Sequence, residues 1–172
     1  MNGLVLWVAQ GFGVGRVPVA PGTFGSVVGG WWFFLLLLPG RPWFFVAGML
    51  GSVFVSVWLC GAAEKILRQT DPGSVVLDEI IALPFCFAGW VAWEWVRLGR
   101  WPAVGEFLHG RQLAITVAIF VAFRVFDIAK PWPVRQSQAL PGGWGVTVDD
   151  LLAALYVNFV TAIFLAVETL WS

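Results

Sequence analysis

From Trp43 to Ala63 the chain runs 21 residues without a charge. At 1.5 Å per residue a helix of that length crosses the ~30 Å hydrocarbon layer of a bilayer. Comparable apolar runs cover about Asp78 to Val96, Gln112 to Lys130 and Thr147 to Leu170, and a shorter one covers Thr23 to Leu38. Pro39-Gly40-Arg41-Pro42, Asp71-Pro72-Gly73-Ser74, the polar stretch from Arg97 to Arg111, and Trp132 to Gly145 separate them as turns or loops. The fold expected is all-α: a polytopic membrane helical bundle of about five spans, preceded by a short interfacial helix from Gly3 and an ordered loop from Gly11 to Pro21. The run to Leu38 is short for a full crossing, Pro84 falls where it would kink the third span, and Trp171 anchors the end of the fifth.

Only 12% of the 172 residues are charged, about half the fraction usual in a soluble domain, while 59% are hydrophobic. A single membrane domain over 1–172 follows. Zero net charge leaves no electrostatic footprint for nucleic acid. Cys60 and Cys86 lie inside apolar runs, as packed thiols rather than a disulfide pair. The start Met1-Asn2-Gly3-Leu4 lacks the basic region of a cleaved signal.

Five of the ten acidic residues sit at the ends of the apolar runs: Asp78-Glu79, Asp127 and Asp149-Asp150. If the spans alternate in direction, all five reach one membrane face together with Arg124 and Lys130. That face holds six Lys and Arg residues (Arg16, Lys65, Arg68, Arg124, Lys130, Arg135) against four opposite (Arg41, Arg97, Arg100, Arg111), so the positive-inside rule assigns it to the cytoplasm. Carboxylates beside a span are costly and mark ion or substrate sites. Asp78-Glu79 and Asp149-Asp150 also admit a simpler reading, as acids offsetting the dipole at a helix start. Asp127 resists it, because it lies near the end of its span, where an anion faces the negative pole. Its alternatives are an ion pair with Arg124 or a metal. Arg124, Asp127 and Lys130 are spaced by three and share roughly one helical face, which places two cations beside a carboxylate for a phosphate to meet.

Oxygen-only ligands suit Mg²⁺ or Mn²⁺, and the one histidine, His109, falls in a loop on the far side. Gly11-Phe12-Gly13-Val14-Gly15-Arg16 leads into Pro21-Gly22-Thr23-Phe24-Gly25-Ser26, where the first span begins. Three helix N-termini then converge on the acidic face with free amides that favour anions. Arg16, Thr23 and Ser26 are candidates to touch a phosphate, with Thr23 more simply a helix cap. Small residues in the second span (Gly48, Gly51, Ser52, Ser56) permit close packing, within the bundle or in a homo-oligomer.

Taken together, Gly11-Phe12-Gly13 through Pro21-Gly22-Thr23-Phe24-Gly25-Ser26, Val75-Val76-Leu77-Asp78-Glu79, Phe123 through Pro133, and Gly142-Gly143-Trp144-Gly145 through Asp149-Asp150 resemble the phosphatidylglycerophosphatase A family, in order and over nearly the whole chain. The Arg-x-x-Asp-x-x-Lys-Pro-x-Pro string and the final Asp-Asp are the most specific parts. Leu77 stands where members often carry Trp, and Ile81-Ala82-Leu83 replaces a more Gly-containing stretch. The resemblance implies hydrolysis of phosphatidylglycerophosphate to phosphatidylglycerol, with magnesium, in the bacterial inner membrane. On that reading Asp78, Glu79, Asp127, Asp149 and Asp150 hold Mg²⁺, while Arg124, Lys130 and Arg16 stabilise phosphoryl charge. Attack by water and an aspartyl-phosphate intermediate are both compatible with the spacing.

Other phosphatase chemistries fit poorly. The positions where a cysteine phosphatase needs its arginine hold Ile66 and Ala92, and no Asp-x-Asp nucleophile pair occurs. A CDP-alcohol phosphatidyltransferase would need spaced aspartates along one helix. A cation carrier would place its acids near mid-membrane in broken helices.

Overall fold

The computed structural model describes residues 2–171. Among them the chain forms α1 (Asn2–Ala9), a 3₁₀ turn (Gly11–Arg16), α2 (Pro21–Leu37), α3 (Pro42–Leu67), α4 (Leu77–Leu98), a second 3₁₀ turn (Val104–Phe107), α5 (Gly110–Ala129), the short α6 (Val134–Ser137) and α7 (Gly143–Trp171). The protein is an all-α membrane bundle. Four helices, α3, α4, α5 and α7, are long and apolar enough to cross a bilayer. With 17 residues, α2 is ~25 Å long and falls short of the hydrocarbon thickness, as its sequence predicts.

Local chemistry sets the ends of these helices. Pro21 and Pro42 occupy first-turn positions, where the missing N–H costs nothing. Arg68, Gly99 and Lys130 close α3, α4 and α5 in the left-handed conformation. Pro131, just after Lys130, prevents α5 from continuing. The helix α4 runs on through Pro84, which has no N–H to give to the Ile80 carbonyl one turn back. A Cβ on Gly29 of α2 would come within 2.9 Å of that same carbonyl oxygen, so the α2 backbone lies against the group that proline leaves unpaired.

Two starts differ from the sequence reading. Ala20 caps α2, and Thr23 lies inside its first turn with its N–H on the Ala20 carbonyl at 2.9 Å, so Thr23 is not the cap. The fifth span begins at Gly143 rather than Thr147, because Gly142–Gly145 is not all loop. At Gly143 any Cβ would strike the Val57 carbonyl, and at Gly61 it would come within 2.8 Å of the Gly143 nitrogen. The glycines therefore serve a backbone-to-backbone crossing of α3 and α7. Asp149 and Asp150 consequently sit beyond the first turn of α7, away from its free amides, and the helix-start explanation for that pair fails.

Centrally placed, α4 packs against α2, α3, α5 and α7. An aromatic core fills the half of the bundle away from the acids: Phe33 stacks on Phe87 with ring centroids 4.3 Å apart, and Trp90 meets Phe107 edge-on at 4.8 Å. In mid-bundle the Asn158 amide of α7 accepts from the Gly89 N–H at 2.8 Å and donates to the Phe85 carbonyl at 2.7 Å. One side chain thus engages both ends of an i, i+4 pair on α4, the kind of polar tie that fixes helix register in an apolar medium. Along α3, Gly48 faces Leu36, Ser52 is buried, and Ser56 bonds Thr147 at 2.9 Å, so these three small residues serve packing inside the bundle. Gly51 faces outward.

Candidate active site

The N-termini of α2, α4 and α7 and the C-terminus of α5 meet at one end of the bundle. Between α4, α5, α7 and the turn before α4 lies a pocket of about 270 Å³. Asp71, Asp78, Glu79, Asp127, Asp149 and Asp150 line it, with Lys130. Asp78, Asp127, Asp149 and Asp150 are buried and Glu79 nearly so.

Their partners divide the acids into two groups. Asp127 and Asp149 are engaged by cations: Arg124 Nη1 lies 2.7 Å from Asp127 Oδ2, and Lys130 Nζ donates to Asp149 Oδ2 at 2.6 Å. Arg124 also donates to Ser26 Oγ at 3.2 Å and reaches Glu79 Oε1 at 3.8 Å. The sequence spacing paired Arg124 with Asp127 on one face of α5. Lys130 instead closes that helix and crosses to α7. Burial, the largest single effect, lowers the Lys130 pKa, but the hydrogen bond to Asp149 and the charges of Asp149, Asp71 and Asp127 together leave it raised, so the side chain remains a cation.

Asp78, Glu79 and Asp150 form the second group. One oxygen of each lies within 4.8 Å of the others, the separation at which a single cation can be shared. Asp78 Oδ1, Glu79 Oε2 and Asp150 Oδ2 are buried without a hydrogen-bond partner. An orphaned carboxylate oxygen costs several kcal/mol in a low-dielectric interior, roughly, unless a proton or cation meets it. Three clustered carboxylates, each with a buried oxygen lacking a partner, fit a hard divalent ion and do not fit helix capping. The set is oxygen-only, as Mg²⁺ or Mn²⁺ prefers.

Glycine makes room for this cluster. A Cβ at Gly22 would collide with Glu79 Oε1 and sit 3.0 Å from Arg124 Nη2, and one at Gly25 would sit 2.8 Å from Val76 Cβ. The Pro-Gly-Thr-Phe-Gly-Ser segment thus brings α2 against the carboxylate of Glu79. Gly22→Ala should leave fold and insertion intact, because the obstructed atom ends a flexible side chain. Displacing that carboxylate should lower kcat by about 10- to 100-fold, the usual cost of ångström-scale misplacement. Steady-state phosphate release beside a melting curve checks both halves.

Some candidates do not reach the pocket. Arg16 is exposed and bonds Gln10 Oε1 at 2.8 Å, and Gln10 in turn reaches Ser74 Oγ at 3.2 Å. Thr23 lines a separate apolar groove between α2 and α5. Ser26 is buried, donates to the Gly22 carbonyl at 2.9 Å and contacts the site only through Arg124. His109 is exposed at the start of α5, with Nδ1 2.8 Å from the Gly105 carbonyl. The sequence reading missed Asp71, which lines the pocket and accepts from Gln138 Nε2 at 3.0 Å. Its place in an Asp-Pro-Gly-Ser turn explained it too easily.

Fold and site together define a polytopic membrane protein with a carboxylate-and-cation pocket at one end of its helices, the construction expected for work on a charged lipid headgroup. A sequence model of the phosphatidylglycerophosphatase A family matches residues 7–165, and the chain belongs to that family. Its relatives include the phosphatidylglycerophosphatase A of Escherichia coli K12, 33% identical over 86% of this chain and 76% of the relative. That of Haemophilus influenzae is 32% identical over 89% and 83%. A Bacteroides thetaiotaomicron protein provisionally named phosphatidylinositol-3-phosphatase is 31% identical over 93% and 92%. No solved structure matches significantly. With bacterial relatives and four membrane-length helices, this is a bacterial membrane protein.

Proposed function

We propose that the protein hydrolyses the terminal phosphomonoester of phosphatidylglycerophosphate, giving phosphatidylglycerol and phosphate, with Mg²⁺ held by Asp78, Glu79 and Asp150. The observation that carries the metal is the trio of buried, partnerless oxygens on those residues. Bound there, the ion would neutralise phosphate charge and favour a nucleophile at neutral pH. Arg124 and Lys130 bind the non-bridging phosphoryl oxygens, whose charge they stabilise as the bond to the leaving oxygen stretches. Each cation is aimed by its carboxylate, Arg124 by Asp127 and Lys130 by Asp149. Asp127 accepts the proton of the attacking water as the new P–O bond forms, and that proton passes to the departing glycerol oxygen as the ester bond breaks. The acidic end of the bundle faces the cytoplasm, on the inner membrane, consistent with the excess of Lys and Arg at that end.

Purified protein should release phosphate from phosphatidylglycerophosphate with Mg²⁺ and fall to background after chelation, recovering when the ion is restored. Activity unchanged by exhaustive chelation would remove the metal. Release from phosphatidylinositol 3-phosphate alone would replace the substrate, and release from neither lipid would end the phosphatase reading. Labelled phosphate trapped on the protein would replace water attack by an aspartyl-phosphate step.

A further inference from the structure

Beside the acidic pocket, an open apolar groove of about 520 Å³ runs along the outer face of α5, lined by Thr23 of α2 and by Phe120, Val121, Arg124, Val125 and Ile128. We propose that this groove seats an acyl chain of the lipid whose phosphate occupies the acidic pocket, so that substrate reaches the site sideways from the bilayer between α2 and α5. The inference rests on the phosphatase reading and adds where the rest of the substrate lies.

Continuity with the site singles out this groove. Ile128 lines both the groove and the acidic pocket. Arg124 lines the groove, yet its guanidinium lies at Asp127, Ser26 and Glu79. A headgroup at that guanidinium therefore has an apolar channel starting beside it. From Phe120 to Ile128 the groove follows about two turns of helix, ~12 Å, at the depth where acyl chains begin below a headgroup. Val121, Val125 and Ile128 are 52%, 55% and 72% exposed, so none of the other described residues fills it. The other apolar groove, between α5 and α7, opens at Arg111 near the opposite end of the bundle and shares no residue with the acidic pocket.

Val121→Trp and Val125→Trp fill the groove without touching the pocket. Val117→Trp is the control, since Val117 is 53% exposed on α5 and lines neither groove. Both groove variants should lower kcat/KM for long-chain phosphatidylglycerophosphate by at least about tenfold, the worth of a few buried methylenes. With a soluble dihexanoyl analogue they should stay near the unsubstituted rate, and Val117→Trp should change neither. Equal losses on the two substrates, or no loss on either, overturn the proposal. A readout independent of turnover is a photoreactive benzophenone side chain at position 125 or 117, with trace labelled phosphatidylglycerophosphate in excess phosphatidylcholine. Capture favouring 125 and competed by unlabelled lipid supports the groove, even if no phosphate is released and the phosphatase reading falls. Equal capture at both positions overturns the groove, whatever the activity.

Discussion

Asp150→Asn and Asp78→Asn should each cut phosphate release by about 10³-fold, equivalent to roughly 4 kcal/mol of transition-state stabilisation. The amide keeps the shape of the side chain but removes the charge that a divalent ion requires. Neither change should unfold the protein. Among the described residues the pocket gathers six carboxylates around Arg124 and Lys130, so negative charge is in excess and its mutual repulsion opposes folding in the absence of metal. Removing one charge should therefore raise the melting temperature of chelated protein while abolishing the further rise that Mg²⁺ gives the unsubstituted chain. Melting curves with and without Mg²⁺, beside activity, read both effects. A variant that keeps its activity, or keeps its Mg²⁺-dependent rise, would take that residue out of the metal's ligands.

Arg124→Ala should be nearly as severe, for two reasons of different kind. It deletes a phosphoryl-binding cation, which costs about 10²- to 10³-fold in kcat/KM. It also leaves Asp127 buried without the partner that lies 2.7 Å away, so stability should fall as well. Arg124→Lys separates the two. A lysine restores a charge to Asp127 and should recover most of the stability. In arginine Nη1 alone meets both Asp127 and Ser26, which leaves other guanidinium N–H groups for a phosphoryl oxygen; lysine has one nitrogen for all of them and should recover only part of the rate. Full rate in the lysine variant would show that only charge matters there.

Much of this site could be read from spacing because the membrane restricts the chain so strongly. Alternating spans oblige the starts of α2, α4 and α7 and the end of α5 to share a face, and the acids at those positions do converge. Where the reading departs from the structure, tertiary packing decides. The three-residue spacing of Arg124, Asp127 and Lys130 presumes a continuing helix, but Pro131 ends it, and Lys130 turns in the left-handed conformation toward Asp149. Gly142-Gly143-Trp144-Gly145 has the composition of a loop, yet the Gly61–Gly143 crossing needs it helical, which moves Asp149 and Asp150 off the helix start. Arg16 lies near the site in sequence terms, but Gln10, whose polarity among apolar neighbours was the one available signal, holds it elsewhere.

The division of the acids into a trio with partnerless oxygens and two that are ion-paired is visible only in three dimensions, because it depends on which oxygens are left without partners. Crystals grown with Mn²⁺ and measured for anomalous scattering test that division most directly. The account predicts a peak bounded by Asp78, Glu79 and Asp150, with Asp127 and Asp149 still on Arg124 and Lys130. Ordered carboxylates with no peak among them, or a peak held elsewhere in the bundle, would contradict it.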